Sequence, residues 1–131
     1  MDLQQPERID YRGETDQHFT IEDTDAFLTL ENKTVVLVNL PIFNIGRRIE
    51  NNLVMNDPRV SRIHAQLRPM NGNYVLFDLG STGGTFINGR RIEQSVIYSG
   101  DVISLAGVQL IFQQKVPGPR PDLKETDRNL K

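Results

Sequence analysis

The chain is built from short segments in which apolar and polar residues alternate, and almost every one is closed by a two- or three-residue turn signal. AFLTLE (26–31) and TVVLVN (34–39) flank Asn32-Lys33, and IFNIGR (42–47) follows Pro41. IHAQLR (63–68) and YVLFDL (74–79) flank Asn71-Gly72-Asn73. TFI (85–87) and RRI (90–92) flank Asn88-Gly89, and DVISL (101–105) and VQLIFQ (108–113) flank Ala106-Gly107. A period of two puts alternate side chains on opposite faces of a strand, and Asn-Gly supplies the positive φ angles that a tight hairpin needs. No stretch of ten or more residues carries sustained apolar spacing at the helical period; only weak traces occur between Arg48 and Met55. This pattern predicts an all-β fold, a two-sheet antiparallel β-sandwich, with residues 48–62 forming a long polar loop.

The alternation stops at both ends, which predicts three regions. Residues 1–25 read as an acidic flexible tail, residues 26–115 as the β-sandwich, and residues 116–131 as a Pro-rich, charged flexible tail. The first 25 residues hold eight acids against two arginines, a net charge of −6, so the remainder of this −2 chain carries +4. Between Gly46 and Arg91 there are seven arginines, three acids and no lysine. The start lacks the basic and apolar regions of a secretory leader, and the longest clean apolar run, Val35–Val38, is far too short to span a bilayer. A soluble, cytoplasmic protein with no membrane partner is expected.

Several chemistries are excluded or disfavoured. With no cysteine there is no disulfide, thiolate zinc site or thiol nucleophile, and two histidines are too few for a metal cluster. Ser61, His64 and Asp78 carry the residue types of a hydrolase triad, but no G-x-S-x-G elbow accompanies them, and GSTGGT lacks the Gly-Lys-Ser/Thr of a phosphate-binding Walker loop. No enzyme activity and no cofactor are expected. An oligonucleotide-binding barrel would want stacking aromatics, whereas aromatics make up 7% of this acidic chain, with no tryptophan. What the sequence does favour is oxyanion binding. Guanidinium forks, hydroxyls and glycine-exposed amides gather in three loops: Gly46-Arg47-Arg48, Ser61-Arg62 and Gly80 to Thr85. Loops at one end of a sandwich meet in space.

The motifs IGR (45–47), VSRIH (60–64), LGSTGGTFING (79–89) and SGDVISL (99–105) occur in the order found in forkhead-associated (FHA) domains, and the chain resembles that family over roughly residues 27–113. The resemblance implies a phosphothreonine-binding β-sandwich that recruits proteins phosphorylated by a Ser/Thr protein kinase. By the same resemblance Arg47 grips the phosphate, Ser61 hydrogen-bonds it, and Arg62 touches the phosphate or the peptide backbone. Thr82 helps to form the pocket for the threonine methyl. His64 braces the binding loops, Gly46, Gly84 and Gly89 are backbone necessities, and Asn88 fixes a loop. Arg59, two residues before Ser61, falls where the family reads the third residue after phosphothreonine, and would favour an acidic side chain there.

One position departs from the family. Gly83 stands where FHA domains usually carry an asparagine that bonds the peptide main chain, a loss of about 1 kcal/mol that re-tunes binding. It also keeps a phosphate-independent FHA-type interaction scaffold as the alternative reading. Similar bacterial proteins fold a phosphorylated tail threonine into their own pocket, which makes Thr20, with Thr15 and Thr24 beside it, the candidate phosphorylation sites of a tail switch. The other reading of that tail is a solubilising leader.

Overall fold

The structure is a computed structural model that describes residues 26–115. The two predicted tails, and with them Thr15, Thr20 and Thr24, lie outside the described residues. Eleven strands follow one another: β1 (Ala26–Leu30), β2 (Val35–Leu37), β3 (Phe43–Gly46), β4 (Leu53–Val54), β5 (Ala65–Met70), β6 (Asn73–Asp78), β7 (Thr85–Ile87), β8 (Arg90–Ile92), β9 (Gln94–Ile97), β10 (Val102–Leu105) and β11 (Val108–Gln114). They form a six-stranded sheet in the order β2-β1-β11-β10-β7-β8 and a five-stranded sheet in the order β4-β3-β5-β6-β9. Every pairing is antiparallel except β3 with β4. The all-β sandwich expected from the alternation is the observed fold.

The core lies between the sheets and is filled by the inward member of each alternating pair. In β11, Val108, Leu110 and Phe112 are buried while Gln109, Ile111 and Gln113 face solvent. Leu28, Val38, Phe43, Ile45, Leu67, Leu76, Ile97, Ile103 and Leu105 are the large side chains enclosed with them. Tyr74 of one sheet meets Phe112 of the other edge-on, with ring centroids 5.5 Å apart. Truncating a residue such as Phe112 removes both transfer and packing energy, typically 3–5 kcal/mol, so this core fixes the frame that carries the loops. β6 breaks strict alternation, because Val75 is buried on the outer face beside Arg68, whose guanidinium stacks 4.9 Å from the Phe77 ring centre.

Three local expectations change. The predicted polar loop contains β4, which pairs in parallel with Ile45 and Gly46 through Leu53 and Val54. β9 follows β8 after one residue and lies in the other sheet, so Glu93 is where the chain crosses between sheets. The strand expected from Ile63 begins only at Ala65: Ile63 is about half exposed and His64 is completely buried, the reverse of what alternation implies. Residues 61–64 are held by other partners, described next.

Candidate functional site

Arg47, Arg48, Ser61, Arg62, Ile63, Gly80 and Thr82 line one open cleft of about 460 Å³ at the loop end of the sandwich. Three segments supply it: the end of β3, the turn before β5 and the turn between β6 and β7. Their backbones are cross-linked. Arg47 N–H donates to the Ser61 carbonyl (3.0 Å) and Arg48 N–H to the Arg62 carbonyl (3.1 Å). The Asn51 side-chain amide donates to both the Arg48 and Arg62 carbonyls, each at 2.9 Å. A Cβ at Gly46 would collide with the Arg62 carbonyl oxygen, so this close approach demands glycine. Arg47 donates its Nε to the Val60 carbonyl (3.0 Å), which fixes the fork while its terminal nitrogens make no hydrogen bond to the other described residues. Ser61 Oγ accepts the Thr82 N–H (3.0 Å), so its own proton remains to be donated into the cleft. The lining holds three guanidiniums, two hydroxyls and no acid, which is the chemistry of a multiply charged oxyanion seat.

His64 sits beneath the cleft, not in it. Ser61 N–H donates to its Nδ1 (3.0 Å), which must therefore carry the lone pair. The ring proton is then on Nε2, where it is donated to the Gly84 carbonyl (3.0 Å). Both nitrogens are spent on backbone, so the imidazole cannot act as a base toward the Ser61 hydroxyl, and the triad geometry is absent among the described residues. Burial pushes the His64 pKa down, against the opposing influences of the Gly84 carbonyl and the Asp78 charge. The glycine-rich turn is caged by Asp78. Its carboxylate accepts the Gly80 and Ser81 N–H groups (3.1 and 3.2 Å) and the hydroxyls of Ser81 and Thr85. Burial alone would raise this carboxyl, but those donors outweigh it and hold its pKa below the usual range.

Of the residues singled out in the sequence, Arg47, Ser61, Arg62 and Thr82 come together in the cleft. Gly84 (φ 89°) gives its carbonyl to both His64 and the Ala106 N–H, and Asn88-Gly89 (φ 51° and 85°) forms the β7–β8 turn. Asn88 Oδ1 accepts the Val102 N–H (2.9 Å) and its amide donates to Asp101 (3.0 Å), tying that turn to β10. Gly83 and Arg59 stand beside the cleft and do not line it. Arg59 is closed on Asp57, Nε to Oδ1 at 3.0 Å and Nη2 to Oδ2 at 2.9 Å. Sequence reasoning missed Asn51, Asp57 and the caging role of Asp78. The last had a readable signal, since Asp followed closely by Gly and Ser is a turn in which the carboxylate takes the next amides.

Gly83 packs on the β10–β11 turn. A Cβ there would collide with the Ala106 Cβ and lie 3.3 Å from its Cα, and Ala106 is itself held at φ 53°. Gly83→Asn is therefore expected to destabilise the domain by about 1–3 kcal/mol, as overpacking does. Ala106→Gly in the same chain should recover most of that loss, by removing the methyl and the positive-φ strain together. Denaturant midpoints of the two single variants and the double variant measure the coupling.

The sequence model of the FHA domain matches residues 43–106. The oxoglutarate dehydrogenase inhibitor of Corynebacterium diphtheriae is 33% identical over 84 residues, 64% of this chain and 57% of its own. The glycogen accumulation regulator GarA of Mycolicibacterium smegmatis is 30% identical over 86 residues, 66% of this chain and 52% of its own. This chain thus spans about half the length of the curated relatives it matches. Among solved structures, an FHA domain from a study of phosphothreonine-dependent FHA interactions has 27% identity and a TM-score of 0.67, covering 71% of this chain and 99% of that one. Mycobacterium tuberculosis EmbR, solved with a low-affinity phosphopeptide, has the same identity and TM-score over 75% of this chain and 26% of its own. Both of these curated relatives carry the names of regulators, and no helix among the described residues is long and apolar enough to cross a membrane. With the sandwich, the cleft and the motif order all in agreement, residues 43–106 belong to the FHA domain family.

Proposed function

We propose that this protein is a non-enzymatic reader of phosphothreonine, working in the cytoplasm to recruit proteins that a Ser/Thr kinase has phosphorylated. The observation that carries the reading is the convergence of Arg47, Ser61, Arg62 and Thr82 in one acid-free cleft. Arg47 supplies a charged fork, Ser61 a free hydroxyl proton, and Arg62 a second cation at the rim. Thr82 gives its amide to Ser61 and keeps its side chain at the cleft wall. A dianionic phosphate on a peptide matches that donor set, and arginine suits it better than lysine because its planar fork binds two oxygens at once. A phosphate-independent scaffold would leave three guanidiniums gathered without a partner, so it is the weaker reading.

The test is titration of the purified chain against a degenerate phosphothreonine peptide library, with phosphoserine and unphosphorylated libraries alongside. Micromolar binding is expected for phosphothreonine peptides, with the unphosphorylated set weaker by at least about 100-fold, the loss of two charge-assisted hydrogen bonds. Equal affinity for phosphorylated and unphosphorylated peptides would overturn the reading in favour of the scaffold.

A further inference from the structure

Beside the cleft, on the outer face of the six-stranded sheet, lies a shallow apolar hollow of about 520 Å³, whose wall includes Gly83, Phe86, Val102, Ala106 and Gly107. It shares no lining residue with the cleft but adjoins it along the chain, since Gly83 directly follows the cleft residue Thr82. Arg59 stands at the boundary: its carbonyl faces Gly83, and its Nη1 approaches Gly107. Two cations stand near that margin among the described residues, Arg59 and Arg91, whose guanidinium lies 6.0 Å from the Phe86 ring centre; of these Arg59 is already answered. Asp57 closes on it with both carboxylate oxygens and also accepts the Arg59 N–H (2.9 Å). A second acid, Glu31, lies close enough to act on the Arg59 charge, and its carboxylate accepts the N–H of Gln109 on the hollow wall (3.0 Å).

We propose that Asp57 sets what this site accepts beside phosphothreonine. By occupying the Arg59 fork it stands in for an acidic ligand residue, so the site selects peptides that place an apolar side chain in the Gly83–Ala106 hollow over peptides that place an acid there. The inference rests on the phosphothreonine reading of the cleft and names the peptide class that cleft would take. Three physical points support it. An internal carboxylate two residues from its arginine competes with a ligand acid for the same fork. The arginine it closes is charge-neutralised, and Glu31 adds repulsion toward a further acid. Filling the hollow with an aliphatic or aromatic side chain removes apolar surface of both partners from water.

Asp57→Asn provides the test, since it keeps an oxygen to accept the Arg59 N–H while removing the charge, and both side chains are exposed enough for the fold to be indifferent. The wild-type chain, screened on the phosphothreonine library, should enrich apolar residues at a flanking position and deplete Asp and Glu there. Asp57→Asn should raise affinity for acid-flanked peptides about two- to fivefold, the range of an exposed ion pair. Adding Arg59→Gln should abolish that gain. Enrichment of acids by the wild-type chain, or an unchanged profile in Asp57→Asn, would overturn the inference while leaving the phosphothreonine reading intact. No phosphothreonine binding by the wild-type chain would remove both at once, so the two failures are told apart by the parent protein alone.

Discussion

Arg47→Ala should weaken phosphothreonine-peptide binding by about 100-fold or more while shifting the unfolding midpoint only slightly. The guanidinium is exposed and spends one nitrogen on the protein, the Nε bond to the Val60 carbonyl. Losing that bond costs roughly 1 kcal/mol of stability. The remaining nitrogens are what a phosphate would engage, and two charge-assisted bonds at about 1.5–3 kcal/mol each account for the expected loss in affinity. Arg47→Lys sharpens the result. An ammonium restores the charge but not the planar fork, and it cannot both hold Val60 and present two parallel donors, so most of the loss should persist. Calorimetric titration with one phosphopeptide, beside thermal melts of the free proteins, separates binding from folding. Near-normal binding by Arg47→Ala would move the phosphate seat elsewhere on the loops.

The strands were legible because the forces that place them are local. Alternation decides which face is buried, and Asn71-Gly72, Asn88-Gly89 and Ala106-Gly107 all take the two successive positive φ angles of a tight hairpin. What stayed hidden depends on partners distant in sequence. β4 is two residues long and exists because Asn52 N–H and Met55 N–H reach the Asn44 and Gly46 carbonyls. β9 follows another strand after a single residue, and its buried Ser95 breaks the apolar pattern. The stretch at Ile63-His64 misled for a related reason. Alternation takes Ile63 to be core, but the imidazole is drawn inward by two backbone partners 3 and 20 residues away, which turns Ile63 out toward the cleft. Arg47 and Ser61 were visible through their motifs, whereas the closure of Arg59 by Asp57 was not, because a motif names positions and says nothing of which side chains neutralise one another.

His64 is where fold and site depend on one side chain, and its replacement should cost both. His64→Ala should cost about 3 kcal/mol or more, because it opens a cavity at a fully buried position and orphans the Ser61 N–H that the imidazole accepts. Affinity for phosphopeptide should fall with it, since Ser61 and the Gly84 turn lose their common brace. The ring also makes stability depend on pH, with a definite sign. Burial lowers the folded-state pKa beneath the usual 6.5, so the unfolded chain takes up the proton first as pH falls. Stability is therefore whole above about pH 6.5 and erodes below it, because an imidazolium Nδ1 can no longer accept the Ser61 N–H. Asp78, whose pKa is held below its usual 3.8, adds a second loss of the same sign at more acid pH. His64→Gln isolates the first window: an amide offers one acceptor and donors but does not titrate. Its denaturant midpoint should be lower than wild type at pH 7.5 and nearly flat between pH 6.5 and 4.5, where the wild-type midpoint declines. Stability is the better readout than binding here, because the second ionisation of a phosphothreonine falls near pH 6 and would bend any affinity profile by itself. A wild-type midpoint unchanged across that interval would mean that the imidazole is not held neutral, and that the Ser61 turn is braced by something other than its lone pair.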